Sequence, residues 1–187
     1  GDVQKESMKL WLTDAEIFEV KGNKRVLSEL GRILRSIGAN DLFTWAVVWT
    51  NLAKNSPLIE WYVQKLPWGR VYSKNELIEA LGDGYRDRTK RNAITELVQL
   101  FDYSPLGREL KIGVPVKKGR TTTAIEKKGL LGESTLKLHP LAILYSLYRY
   151  AERTSRYHFT VSELYEDSAP EGPYKLFGIP KSIIESV

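Results

Sequence analysis

A run of cationic side chains opens one of the helices that the sequence predicts. Four basic residues and one asparagine lie within seven positions, and they are Arg86, Arg88, Lys90, Arg91 and Asn92. Guanidinium and ammonium groups contact nucleic-acid phosphates, and Arg, Lys and Asn also hydrogen-bond base edges when a helix enters the major groove. A second group lies at the turn between two predicted strands and consists of Lys117, Lys118 and Arg120. This turn is flanked by three further lysines that are expected to contact phosphate, Lys111, Lys127 and Lys128. A helix start and a hairpin tip are the positions from which such side chains reach DNA, so both groups are predicted to bind nucleic acid.

The excess positive charge of the chain is concentrated around these residues. The 187 residues contain 28 Lys plus Arg and 23 Asp plus Glu, for a formal net charge of +5. Residues 65–128 hold 14 of the basic and 8 of the acidic residues, which leaves 14 basic and 15 acidic residues elsewhere. Because phosphate binding requires local positive charge, this distribution favours residues 65–128 as the binding region.

Two other interpretations of the cationic helix stay open. One is an ordinary solvated helix start, in which Asp87 supplies a neighbouring opposite charge. The other is a surface that docks onto another protein, since winged helices often serve as dimerisation or docking units. Cations at a helix N-terminus oppose the helix dipole at a small energetic cost, so an external anion there would be stabilising.

No group of residues in the sequence has the spacing of a catalytic or metal centre. The chain contains no cysteine, which excludes disulfides, iron–sulfur clusters and thiolate zinc sites. His139 and His158 lack metal-ligand spacing, and strand propensity explains the threonines of residues 121–123. The glycine-containing stretches 119–123 and 129–134 lack the Gly-Lys-Ser/Thr ending of a phosphate loop. We expect no cofactor, no metal and no catalytic residue here, while an enzymatic role of the parent protein stays open.

Three predicted helices precede the cationic region. Apolar residues at steps of three and four predict a helix over 26–37, which ends at Gly38. A nearly all-apolar helix follows, capped by Asn40 or Asp41, and Pro57 starts a third. The apolar character of these helices assigns their tryptophans to the core rather than to a ligand-stacking site, namely Trp45, Trp49 and Trp61.

The cationic helix itself belongs to a predicted helix-turn-helix. Ser73 and Glu76 form a capping box at the start of a short helix. A glycine turn over 82–84 then leads into a helix over 86–101. The period changes to two afterwards, which predicts two strands joined by a basic turn, 110–116 and 121–125. A basic hairpin after a helix-turn-helix is typical of the wing of a winged helix.

The remaining residues are predicted to repeat the order helix, capped helix, helix in a second, smaller unit. His139 starts a helix over 141–153, and Thr160 with Glu163 forms a second capping box. The Gly-Pro pair at 172–173 is expected to break the structure. We therefore expect two domains, 1–131 and 132–187.

Both ends of the chain suggest a fragment of a longer protein. Gly1 stands where a Met is expected and is interpreted as an expression scar, and the chain stops at Val187 within a predicted helix after Pro180. We expect the second unit to be truncated and the parent protein's activity to lie outside these residues. Because the sequence has neither an apolar run of about 18 residues nor a signal peptide, we expect a cytoplasmic protein without a membrane partner.

Several of these segments together resemble a known group of proteins. They are residues 26–31, residues 42–45 with Trp49 and 51–53, Trp61 with Tyr62, the capped helix at Ser73, the basic helix from Arg86, and residues 172–179. In these segments the chain is similar to an uncharacterised bacterial winged-helix-like domain family. That family is associated with phosphoadenosine phosphosulfate reductase-like proteins and with the sulfur-handling systems of DNA modification and phage defence.

The resemblance implies an accessory module of a sulfur-transfer or reductase-like enzyme, with DNA or that enzyme as its partner. The Ser-Gly-Gly-x-Asp-Ser loop with which such enzymes bind a nucleotide is missing, as are cysteines, so no active-site residue can be transferred. The sequence therefore predicts a mainly α chain with a small β hairpin (α+β), in two winged-helix-like halves. Its predicted function is non-catalytic nucleic-acid binding; the alternative is a protein-docking or structural domain of the enzyme.

Overall fold

The computed structural model describes residues 2–130 and 137–186, which form helices and two small antiparallel sheets. The helices, in chain order, are α1 (Asp2–Asp14), α2 (Glu29–Ile37), α3 (Leu42–Asn55), α4 (Pro57–Lys65), α5 (Lys74–Ala80), α6 (Asp87–Tyr103), α7 (Pro105–Arg108), α8 (Pro140–Thr154), α9 (Pro173–Phe177) and α10 (Lys181–Ile184). A 3₁₀ helix covers Ser162–Tyr165. The strands are β1 (Phe18–Lys21), β2 (Lys24–Leu27), β3 (Arg70–Ser73), β4 (Val114–Lys118) and β5 (Thr121–Lys127). The predicted mixture of helices with a small amount of β structure is confirmed.

The two sheets differ in how far apart their strands lie in the chain. Strands β1 and β2 form a local hairpin. The second sheet has the order β3-β5-β4, so β3 pairs with a strand that follows it only after α5, α6, α7 and β4. The register aligns Tyr72 with Ile125, and the β4–β5 pairing is irregular between Val116 and Lys117. The sheet therefore holds both ends of the α5–α6 pair, with β3 before α5 and β4 after α7.

Local capping signals explain where several helices begin. At α5, the Ser73 hydroxyl accepts from the Glu76 amide, while the Glu76 carboxylate accepts from the Ser73 amide. Asp41 accepts from the Phe43 amide at α3, and His139 Nδ1 accepts from the Leu141 amide at α8. Each bond satisfies an amide that the helix itself leaves without a partner, which confirms the predicted helix starts.

The core is built around three buried aromatic rings from α3, α4 and α6. Trp49, Tyr62 and Phe101 pack with ring centroids 5.1 to 5.9 Å apart. Their polar atoms are satisfied, because Trp49 Nε1 donates to the Leu176 carbonyl and the Tyr62 hydroxyl donates to the Ile112 carbonyl. Trp49 belongs to the core as predicted, and the same apolar cluster extends to residues on both sides of the expected domain boundary.

Several element boundaries differ from those that the sequence predicts. Residues 24–27 form β2 rather than the start of a helix, so α2 begins only at Glu29, after its cap Ser28. The strand predicted over 110–116 is shifted to Val114–Lys118, and the preceding helix α7 was not predicted. These errors have a common cause, since short apolar runs such as Val26-Leu27 fit a helix and a strand equally well.

The C-terminal part differs from the expected second winged-helix-like unit. The described residues 137–186 contain helices but no strand. Thr160 and Glu163 exchange the expected capping bonds, although the helix that follows is a 3₁₀ turn. Pro173 starts α9 instead of breaking the structure, because proline is tolerated in the first helical turn. The division into two domains stays a prediction.

Candidate nucleic-acid interface

Helix α6 is held against the core by one side, which fixes the direction of its other sides. The buried side carries Ile94, Leu97, Val98 and Phe101, all at most 3% exposed. These positions repeat at steps of three and four, so they form one stripe along the helix. The polar residues between them are consequently directed away from the core.

The arginines predicted to bind phosphate lie on this outward surface. Arg86, Arg88 and Arg91 are exposed. Their side chains have no hydrogen-bond or ion-pair partner within residues 2–130 and 137–186. Asp87, the counter-charge considered from the sequence, pairs at 3.4 Å with Lys90 instead. Three guanidinium groups are therefore free to bind an external anion.

Lys90 is the one predicted cation of this helix that does not face outward. It is 8% exposed, and its Nζ donates to the Gly82 carbonyl at 3.2 Å. Gly82 has a φ of +71°, a conformation that residues with a Cβ rarely adopt. Lys90 thus ties the turn between α5 and α6 to the second turn of α6, which is a structural role.

The tip of the β4–β5 hairpin supplies two exposed cations and a third that is paired. Lys118 and Arg120 are exposed and have no ion-pair partner in the described part of the chain. Lys117 Nζ lies 2.8 Å from the carboxylate of Asp102, which also accepts a hydrogen bond from the Thr122 hydroxyl at 3.1 Å. The adjacent ammonium group of Lys117 is the main reason why the pKa of Asp102 is lowered. These contacts dock the hairpin onto the last turn of α6.

The contact at Asp102 relates the hairpin to the exposed arginines. Asp102 follows Arg91 by eleven residues, which is three helical turns plus about 20°, so both residues lie on the same side of α6. The rise over eleven residues is about 16 Å. The helix start and the hairpin tip are therefore two cationic groups at opposite ends of one side of α6.

Asn92 lies four residues after Arg88, so it neighbours the exposed arginines on α6. Together with Thr95, Glu96 and Gln99 it lines a cavity of about 730 Å³ whose other walls come from α1 and α3. Trp45, which was assigned to the core, also lines this cavity, and its Nε1 donates to the Ala39 carbonyl at 2.7 Å. No local sequence signal predicted the cavity, because its walls are far apart in the chain.

Lys127 of β5, which the sequence placed beside the hairpin tip as a phosphate contact, is buried instead. Lys127 has no exposed surface, and its Nζ donates to the carbonyls of Tyr62, Val63 and Leu66 at 2.9, 3.4 and 2.6 Å. The rings of Tyr62 and Trp68 lie 4.7 and 4.5 Å from the same atom. Burial lowers the pKa of Lys127 to about 7. This lysine closes the C-terminal end of α4 and is not part of the cationic surface.

The described residues offer no alternative site of metal chemistry. In residues 2–130 and 137–186, no group of three or more His, Asp or Glu side chains is placed to hold a metal ion. None of the helices in the same residues is long and apolar enough to cross a membrane.

Helix α6 therefore borders two features. The first is the cationic surface made of the exposed arginines and the hairpin tip, and the second is the cavity. Comparisons with protein-family models, with curated proteins and with solved structures found no match to this chain.

Proposed function

We propose that the chain binds nucleic acid through phosphate contacts made by five side chains on α6 and the hairpin tip. The five are Arg86, Arg88, Arg91, Lys118 and Arg120. The observation that carries the proposal is that all five are exposed cations without a partner in the described structure, on or beside one side of one helix. Unpaired cations arranged along a surface favour a polyanion over a single small anion.

The connectivity around α6 supports a winged-helix interpretation of this unit. Helix α4, strand β3, helices α5 and α6 and hairpin β4–β5 follow one another, and the strand order is β3-β5-β4. A helix-turn-helix followed by a hairpin that pairs back to the strand before it is the arrangement expected of a winged helix. Helix α6 then occupies the place of the recognition helix, and the β4–β5 turn that of the wing.

Three of the residues predicted at the helix start and the hairpin tip are left out of the proposed contact set. Lys90 is buried, Lys117 is paired with Asp102, and Asn92 lines the cavity. The remaining contacts go to phosphates, which give affinity and position without reading base sequence. We accordingly expect binding with little sequence preference.

The test is fluorescence anisotropy of labelled random duplex DNA titrated with the chain at about 50 and 200 mM salt. Five phosphate contacts give a slope of about −4.5 in log affinity against log salt, which corresponds to about a 500-fold loss over this range. The double variant Arg88→Glu/Arg91→Glu removes two contacts and adds two repulsive charges. We expect it to weaken binding by about 100-fold or more at the lower salt concentration.

Helix α2 provides a matched control for this double variant. Arg32 and Arg35 are also exposed arginines three residues apart on a helix, and neither has an ion-pair partner in the described chain. Arg32→Glu/Arg35→Glu changes the net charge by the same amount, and we expect it to retain most of the affinity. Equal losses in the two double variants would refute the assignment to α6, and absence of salt-dependent binding by the unmodified chain would refute the function.

A second candidate function is docking onto another protein, and a specific feature of α8 favours it. Leu141, Leu144 and Tyr148 are 54, 60 and 56% exposed and fall on one face of α8 at steps of three and four. An exposed apolar stripe is typical of a protein contact. The family resemblance suggests a sulfur-transfer or reductase-like enzyme of the cytoplasm as that partner. Co-purification with such an enzyme should be lost in Leu144→Asp and retained in Arg88→Glu if α8 is the docking face.

A further inference from the structure

The cavity between α1, α3 and α6 has the size of a small-molecule site. Its volume of about 730 Å³ lies within the range of about 300–1,000 Å³ that is common for ligand pockets. The walls are Trp11 and Leu12 of α1, Trp45 and Val48 of α3, and the polar side of α6. The three helices that form it pack around the space without filling it.

Its walls have an asymmetric chemistry. Two walls are apolar and each contributes a tryptophan, whose ring can stack on an aromatic or cationic ligand. The α6 wall is polar, and Glu96 is the only charged residue among the described residues that line the cavity. Glu96 is exposed and has no ion-pair partner within residues 2–130 and 137–186. An unpaired carboxylate beside two indole rings is complementary to an apolar cation.

A buried hydroxyl in the α3 wall is a second, independent polar feature of the cavity. Thr44 lines the cavity and is 7% exposed, and its Oγ1 has no hydrogen-bond partner in the described structure. A buried polar atom without a partner is uncommon, because an unsatisfied hydroxyl destabilises the fold. A polar group of a ligand would supply the missing partner after a rotation of the threonine side chain.

We propose that this cavity is a binding site for an apolar organic cation, whose aromatic or aliphatic body contacts Trp11 and Trp45 and whose charge lies beside Glu96. The proposal goes beyond nucleic-acid binding and does not depend on it. The arginines proposed to contact phosphate are not among the residues that line the cavity. The two proposals can therefore fail separately.

The test compares two probes of nearly the same size and shape but opposite charge, tetraphenylphosphonium and tetraphenylborate. Each is titrated into the chain without nucleic acid, and binding is measured by isothermal calorimetry and by quenching of tryptophan fluorescence. We expect saturable binding of the phosphonium at one site and at least about tenfold weaker binding of the borate, because Glu96 attracts one charge and repels the other. Equal affinity for the two probes, or no saturable binding of the phosphonium, would overturn the proposal.

Four exposed positions on α6 and α5 complete the test without disturbing the core. Glu96→Gln should weaken phosphonium binding by about tenfold, whereas Glu79→Gln on α5 removes the same charge away from the cavity and should leave it unchanged. Thr95→Trp and Gln99→Trp each place a large ring in the cavity and should abolish binding. Retention of full affinity in both tryptophan variants, or in Glu96→Gln, would show that the phosphonium binds elsewhere and would overturn the assignment.

Discussion

The cations of the C-terminal helices and those of the α5–α6 unit are used in opposite ways. Every Lys and Arg in residues 137–186 has a protein partner, and the six are Lys137, Arg149, Arg153, Arg156, Lys175 and Lys181. In the α5–α6 unit and its hairpin, five exposed cations have no partner in the described structure. Cations of the same type thus join elements of the fold in one region and stay exposed without a partner in the other.

Helix α8 illustrates the structural use of arginine. Arg153 connects three parts of the chain, because it pairs with Glu60 of α4 at 2.6 Å and with Glu171 of the segment before α9. Arg149 pairs with Glu16 in the same way and lies 3.2 Å from Glu152. These guanidinium groups join elements that are distant in sequence, so they contribute to the packing of α8 against the rest of the chain.

Helix α6 lacks such partners for a local reason. Its Arg88 and Arg91 are three residues apart and repel each other, which costs a few tenths of a kcal/mol. Asp87, one turn before Arg91, is used by Lys90. The sequence thus keeps two like charges close together on an exposed surface, a small destabilisation that an external polyanion would offset.

The largest effect that separates the two regions is expected from Arg153→Ala. Glu171 is only 5% exposed, so removal of Arg153 leaves a buried carboxylate without its ion-pair partner. We expect the free energy of unfolding to fall by about 3 kcal/mol, because a buried carboxylate loses the charged group that compensates it. Urea denaturation followed by circular dichroism measures this change.

Arg91→Ala is the matched variant in the other region. Because Arg91 is exposed and unpaired, its removal should change the free energy of unfolding by less than about 0.5 kcal/mol. Similar losses of stability in Arg153→Ala and Arg91→Ala would contradict the distinction between structural and available arginines.

Only part of this distinction could be predicted from the sequence. The helix starts at Asp41 and Ser73 depend on residues two or three positions away, so local patterns were sufficient. The placement of cationic residues on an exposed part of α6 followed from the helical period. The pairing of Arg153 with Glu60, 93 residues distant, depends on tertiary packing that no local pattern encodes. The cavity was missed for the same reason.

Lys127 is the exception within the cationic region, because it is fully buried and has three carbonyl partners. Lys127→Met keeps a similar shape but leaves those carbonyls without their donor, so we expect a loss of about 2 kcal/mol in the free energy of unfolding. Lys118→Met, on the exposed hairpin tip, should change stability by less than about 0.5 kcal/mol. Denaturant titrations of both variants measure the difference.

The pH dependence of the Lys127→Met difference follows from the pKa of the lysine. Burial lowers this pKa to about 7 in the folded chain, against about 10.4 for an unfolded lysine. Between these values the unfolded state binds more protons, so the stability of the unmodified chain relative to Lys127→Met should rise with pH. A difference that stays constant from pH 7 to 10 would mean that the carbonyls and the two aromatic rings keep the lysine protonated.

The burial of Lys127 could have been predicted from the alternation of residues along β5. It lies two residues after Ile125, and both side chains are completely buried in β5. Because residues two apart in a strand share a face, an apolar Ile125 indicates that Lys127 faces inward as well. Its three carbonyl partners, by contrast, lie more than 60 residues away and could not be inferred.

The smallest effect on stability is expected for the ion pair of Lys117 with Asp102, because Lys117 is paired like the structural cations but exposed like the available ones. The pKa of Asp102 is lowered mainly by Lys117, so the pair stabilises the fold above the ordinary carboxylate value of 3.8 and loses this contribution as the pH falls below it. Asp102→Asn should therefore cost less than about 1 kcal/mol at pH 7, since Lys117 is 42% exposed, and progressively less as the pH falls through the lowered pKa of Asp102. The same substitution releases Lys117 at the hairpin tip. We expect the salt slope of nucleic-acid binding to become steeper by about 0.9, the contribution of one additional phosphate contact. An unchanged slope, with stability reduced as expected, would show that the hairpin tip does not reach the phosphates and would restrict the proposed interface to α6.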